Sequence, residues 1–179
     1  MHLSAISLTV SLLSIAAAAD SFLQATALVT NAQNHTELQC WKFNTPLNIP
    51  SAAGTSGAAT FTFTGTTKTT YTVLPGRFDG GTHNAPAPQL VAFLSGLAHI
   101  TLPVPVYGNS TLDEAWISGG VNGFIIAADA TGTGHKTTYP LDEVTVALQI
   151  PFASADDLPE HEVTERGPCR FDTGSAQLL

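Results

Sequence analysis

The chain has 179 residues, with 14 Asp and Glu against 6 Lys and Arg, for a formal net charge of −8. Charged residues make up only 11% of it, and the basic ones form no cluster, so nucleic acid and anionic membrane surfaces, which need basic patches, are excluded as partners. Beyond its first nineteen residues the length suits one domain with a real core and leaves little room for two.

Residues 3–16 are an uncharged run of Leu, Ile, Val, Ala, Ser and Thr, too short and small-sided to span a bilayer. Ala17-Ala18-Ala19 then offers the small-x-small pattern of a cleavage site, and Asp20 is the first charged residue. Together they predict a signal peptide over residues 1–19, although the usual Lys or Arg at the front is missing. No later stretch is long and apolar enough to span a membrane, so a secreted, extracellular protein without membrane association after cleavage is expected. Export exposes Cys40 and Cys169 to an oxidising compartment, and the even count predicts one bridge, with two free thiols as the alternative. Such a bridge closes a loop worth roughly 4–5 kcal/mol at most by chain entropy. Asn34-His35-Thr36 and Asn109-Ser110-Thr111 are glycosylation sequons, whereas Asn44-Thr45-Pro46 fails because Pro follows the Thr.

Residues 51–59 form a Gly, Ser and Ala loop. Residues 60–64 then alternate Thr-Phe-Thr-Phe-Thr, and residues 69–73 repeat the period of two, so a hairpin turning at Gly65 is expected. Further strands are read over residues 90–94, 98–106, 114–118, 123–127 and 144–150, with Pro103 and Pro105 confining the second of these to an edge or a strand end. No helix pattern of useful length follows the signal peptide. Short strands with Gly- and Pro-rich turns give an all-β fold, a sandwich or a barrel. The domain is assigned to residues 20–155, including an N-terminal extension. Residues 156–179, which hold six of the acidic residues, are read as a solvated tail pinned by Cys169.

Two segments carry chemistry. One runs from Pro75 through Gly80-Gly81-Thr82-His83-Asn84-Ala85-Pro86-Ala87-Pro88-Gln89 to Ser95-Gly96; the other is Ile125-Ile126-Ala127-Ala128-Asp129-Ala130-Thr131-Gly132-Thr133-Gly134-His135. Their spacing resembles the two motifs of the cupin superfamily. His83 holds the first His place, Gln89 the acid place six residues on and Gly96 the Gly place seven beyond that; Gly132 and His135 match the second motif. The surrounding text is similar to small secreted one-domain cupin-like proteins of filamentous fungi. The resemblance implies a single-domain jelly-roll barrel. Metal-binding cupins present three His and one Glu to a divalent ion, and here Ala85 replaces the second His and Gln89 the Glu. Ala130 stands where Pro is usual. What the resemblance leaves is His83, Gln89 and His135, two good donors and one neutral, poor one, a set suited to weak or vestigial binding of a divalent transition metal. The alternative is that both imidazoles are hydrogen-bonding groups inside a barrel without metal. Because cupins pair through strand edges, a homodimer is open.

His99 and His161 are further imidazoles, read as packed or solvated. Trp41 and Trp116 are read as core or lid residues, with a carbohydrate platform as the alternative. Ser95-Gly96 lacks the elbow of the hydrolases, and neither Asp113-Glu114 nor Asp142-Glu143 is a glycosidase pair, because neighbours on a strand face opposite ways. Two readings of function follow. In the first, a non-catalytic secreted protein, an effector or accessory protein, binds a small organic molecule in the barrel. In the second, an isomerase, lyase or metal-dependent oxygenase, for example of secondary metabolism, uses His83, Gln89 and His135 as catalytic groups.

Overall fold

Eleven strands build the domain described by residues 21–171 of the computed structural model. They are β1 (Phe22–Thr30), β2 (Thr36–Pro46), β3 (Thr70–Leu74), β4 (Asp79–His83), β5 (Gln89–Ser95), β6 (Leu97–Thr101), β7 (Glu114–Ser118), β8 (Phe124–Ala127), β9 (His135–Thr138), β10 (Thr145–Pro151) and β11 (His161–Arg166). One helical turn, α1 (Ser110–Asp113), precedes β7. The fold is therefore all-β, as the sequence predicts. The signal-peptide reading over residues 1–19 and the end of the acidic tail lie outside the described residues.

The strands form two packed sheets. Seven lie in the order β11-β2-β1-β8-β5-β10-β3 and four in the order β4-β9-β6-β7. All pairings between named strands are antiparallel except β1 with β8, where Thr26, Ala27 and Leu28 run parallel to Ile125, Ile126 and Ala127. The larger sheet is buried on both faces. Leu28, Val91, Phe93, Ile125 and Ala127 point toward the smaller sheet and meet Ala98, Ile100, Ala115 and Ile117. Leu23, Ala25, Ala27, Leu90 and Ile126 point the other way and meet Trp41, Phe43 and Phe152. This is why β8 reads Phe-Ile-Ile-Ala, an unbroken apolar run, rather than alternating.

The second face is covered by chain that forms no strand. Phe61 and Phe63 lie on it, their ring centroids 5.2 and 5.9 Å from that of Phe43. The alternation of residues 60–64 thus reports burial correctly, but the expected hairpin is absent: Thr60 only bridges Asn48, and β3 pairs with β10. Two further readings are corrected. The N-terminal extension is a long hairpin, β1–β2, with β1 near the centre of the larger sheet. The acidic tail includes β11, an edge strand on β2, where Lys42 pairs with Glu162 and the His161 ring stacks on Trp41 at 3.4 Å.

In the loop before β7, the buried Asp113 carboxylate accepts hydrogen bonds from the amides of Val106, Tyr107 and Asn109 at 3.0 Å each. It replaces strand pairing where Pro103 and Pro105 remove donors. Cys40 and Cys169 form the expected disulfide, with Cα atoms 4.5 Å apart and a sequence separation of 129. The Cys169 amide also donates to Thr26 Oγ1 at 3.0 Å, fixing the segment after β11 to β1.

Alkylation of the intact protein is expected to label no thiol before reduction and two after it, as read by mass. Replacing both cysteines with Ser should lower stability by about 2–5 kcal/mol in denaturant melts.

Candidate functional site

The site forms where the two sheets part. His83 is the last residue of β4 and His135 the first of β9, and the two face each other in the antiparallel register of the smaller sheet. Their ring centroids are 4.6 Å apart with planes inclined at 56°. Gln89 opens β5 in the larger sheet. The chain crosses between sheets over Asn84-Ala85-Pro86-Ala87-Pro88, where two prolines cannot donate to a ladder. His83 and Gln89 therefore do not share one strand face; they line one cavity from opposite sheets. That cavity is about 330 Å³, and the three predicted site residues His83, Gln89 and His135 all border it. Val91, Phe93, Ile100 and Ile125 make its apolar wall, and Thr70, Tyr139 and Gln149 add polar groups. Burial pushes the Tyr139 phenol above its ordinary value of 10.0, so this group stays protonated and neutral at physiological pH.

The turn Thr131-Gly132-Thr133-Gly134 delivers His135. Gly134 has φ +69°, and a Cβ there would stand 2.5 Å from the His83 carbonyl, so only glycine lets β4 and β9 approach this closely. Asn84 Nδ2 donates to the carbonyls of Asp129 and Thr131 at 2.9 and 2.8 Å. From the N-terminal hairpin, Thr30 Oγ1 donates to the Thr131 carbonyl at 2.7 Å, and the Thr36 amide donates to Thr133 Oγ1 at 2.9 Å. The hairpin taken from the sequence as an extension thus holds the loop that carries the site.

Asp129 is the residue of the candidate site that the sequence reading missed. Its side chain is fully buried. Oδ2 accepts from His135 Nδ1 at 2.7 Å and from Thr36 Oγ1 at 3.2 Å, while Oδ1 has no hydrogen-bond partner among the described residues. The imidazole is buried as well, at 5% exposure. A buried acid holding Nδ1 orients the ring and turns Nε2 to the other side, the arrangement found behind general bases and behind metal-ligating histidines alike. The available signal was only an acid six residues ahead of the motif His.

Ala85, in the place of the second motif His, packs in the core between the sheets and borders the same cavity. The remaining predicted residues fall elsewhere. His99 stacks on Trp116 at 3.7 Å on the outer face of the smaller sheet and lies 2.9 Å from Glu114 Oε2. Trp41 is core, whereas Trp116 is 55% exposed. Asn34 and Asn109 are both exposed in turns. Among the described residues, no group of three or more His, Cys, Asp and Glu side chains is placed to hold a metal ion. The polar side chains bordering the cavity are two imidazoles, the amides of Gln89 and Gln149, and the hydroxyls of Thr70, Thr137 and Tyr139, with no carboxylate or thiolate among them. No model of a known protein family matches the chain, and no curated protein shows significant similarity to it.

Proposed function

We propose that this is a secreted cupin-like protein that binds a small organic molecule in the cavity between its sheets. The observation that carries the reading is the cavity itself: about 330 Å³, bordered by Val91, Phe93, Ile100 and Ile125 together with His83, Gln89 and His135. Ligand sites share this form, a mostly apolar hollow with a few convergent polar groups. The spacing of the two motifs supports the cupin assignment, because it anticipates that these three residues meet. Secretion is supported by the Cys40–Cys169 bridge, which requires an oxidising compartment. Among the described residues, no helix is long and apolar enough to cross a membrane.

The pair formed by Asp129 and His135 favours a second reading, an enzyme of the isomerase or lyase type. A buried carboxylate bonded to Nδ1 stabilises the ring as it takes a proton at Nε2, the role of a general base. Under this reading Asp129→Asn removes turnover while leaving ligand affinity within a few-fold.

Metal binding at His83, Gln89 and His135 is weak in this reading. Two imidazoles and an amide lack the negative charge that draws a cation, and the nitrogen donors favour copper over zinc. Either ion would sit against Nε2 of rings oriented from behind.

Three outcomes are expected. Protein collected from the medium of a secreting host should begin at Asp20 and lose mass at Asn34 and Asn109 on deglycosylation; cell retention with residues 1–19 attached would defeat the export reading. Val91→Trp should fill the cavity, costing about 1–3 kcal/mol of stability while abolishing the shifts that one-ring aromatic compounds induce in the Ile100 and Ile125 methyl signals. In calorimetry, copper should bind more tightly than zinc, both weakening on acidification as protons compete for the imidazoles. His135→Ala should remove this binding, and Gln89→Glu should strengthen it about tenfold or more, roughly 1.4 kcal/mol. Tight stoichiometric metal in the purified wild type would overturn the weak-site reading and favour the enzyme.

A further inference from the structure

The polar end of the cavity has a hydrogen-bonding sense that fixes the kind of ligand it takes. His135 Nδ1 lies 2.7 Å from Asp129 Oδ2, and a carboxylate oxygen accepts, so the ring donates there. His83 Nδ1 lies 3.2 Å from the Gly81 carbonyl, which can only accept, so this ring also donates through Nδ1. A neutral imidazole has one donor and one acceptor nitrogen. Where the rings are neutral, with Nδ1 committed as donor on both, Nε2 is the lone-pair acceptor on both. The two rings border the cavity 4.6 Å apart, centroid to centroid. Gln89, which borders the cavity from the other sheet, is an amide of either sense.

The lining contains no Lys, Arg, Asp or Glu. A charged ligand would shed its hydration without meeting a counter-charge, a cost of several kcal/mol by general desolvation arguments. Asp129 stands behind His135 and further disfavours anions. The inner wall offers Phe93 and branched aliphatic side chains to an apolar ring. At interior packing density the cavity accommodates ~250 Å³ of ligand, enough for one ring with substituents.

Resting on the ligand-binding reading above, we propose that the cavity selects an uncharged one-ring molecule bearing neighbouring hydroxyls, a catechol-type diol. The hydroxyls donate to the Nε2 atoms of His83 and His135, and the ring lies against Phe93, Val91 and Ile125. Recognition comes from hydrogen-bond donation, because the same oxygens capped by methyl groups would oppose two acceptors with two more.

The test uses the full secreted chain with EDTA throughout, so that hydroxyls meet imidazoles and not stray metal. Calorimetry and NMR compare 4-methylcatechol with its monomethyl and dimethyl ethers, and 3,4-dihydroxybenzoate with its methyl ester. Affinity is expected to fall at each methylation, at least tenfold from diol to dimethyl ether, and the ester is expected to bind more tightly than the carboxylate. His83→Phe, at the exposed mouth where folding is not at stake, should flatten the methylation series. Equal or tighter binding of the dimethyl ether would overturn hydroxyl selection and leave the cavity reading standing. If neither diol nor ether shifts the Phe93 or Ile125 signals, the cavity reading falls together with this one.

Discussion

A carboxylate placed in a protein interior must be compensated by hydrogen bonds or charge, and the position of the site follows from how Asp129 meets that demand. Its two partners come from opposite ends of the domain: Thr36 opens β2, and His135 opens β9. Satisfying one oxygen of Asp129 therefore fixes the N-terminal hairpin against the turn of residues 129–134, and through Gly134 it fixes the distance between β9 and β4. The same bond sets the ring plane of His135. Had the acid faced the cavity directly, it would have formed a cation site. Placed behind the imidazole, it polarises the ring and leaves the cavity lining uncharged.

The larger sheet imposes the second constraint. Its inner strands β1, β8, β5 and β10 are packed on both faces and carry no charged side chain, and the sheet's charges lie on β2 and the edge strand β11. Covering the second face falls to irregular chain, and Phe61 and Phe63 do it through ring contacts rather than backbone pairing. The hairpin expected there rested on alternation, and alternation records which side chains are buried without recording what the backbone bonds to. The reading of β7 over residues 114–118 was sound for the complementary reason. β7 is an edge strand with one wet face, so Ala115 and Ile117 point in while Trp116 and Ser118 point out.

β1 and β2 escaped notice because central strands blur the period of two. In β1, four successive residues from Ala25 to Leu28 are buried. In β2, Leu38 and Cys40 continue one phase and Trp41 and Phe43 another, with Cys40 and Trp41 buried side by side. His83, Gln89 and His135, which the motif spacing singles out, border one cavity. What supports them was not legible in the sequence. Thr36 lies 93 residues from Asp129, and nothing local to either marks the contact. For the same reason His99 and His161 could not be placed from sequence, since each is settled by an aromatic partner on a neighbouring strand, Trp116 and Trp41.

Against the ligand set that the cupin resemblance implies, the two departures change the chemistry in one direction. Ala85 is drawn into the core between the sheets, so the lost imidazole is replaced by packing and not by another polar group. Gln89 keeps the shape of the acid without its charge and remains buried at 8% exposure. A buried Glu would need a cation or a donor set to offset its desolvation, whereas a Gln needs only ordinary hydrogen bonds. With the ligand-facing charge removed and Asp129 retained at the rear, the imidazoles become bases and acceptors facing a neutral hollow. Under the proposed ligand-binding reading, that combination suits the recognition of hydrogen-bond donors on an organic molecule better than the holding of a cation.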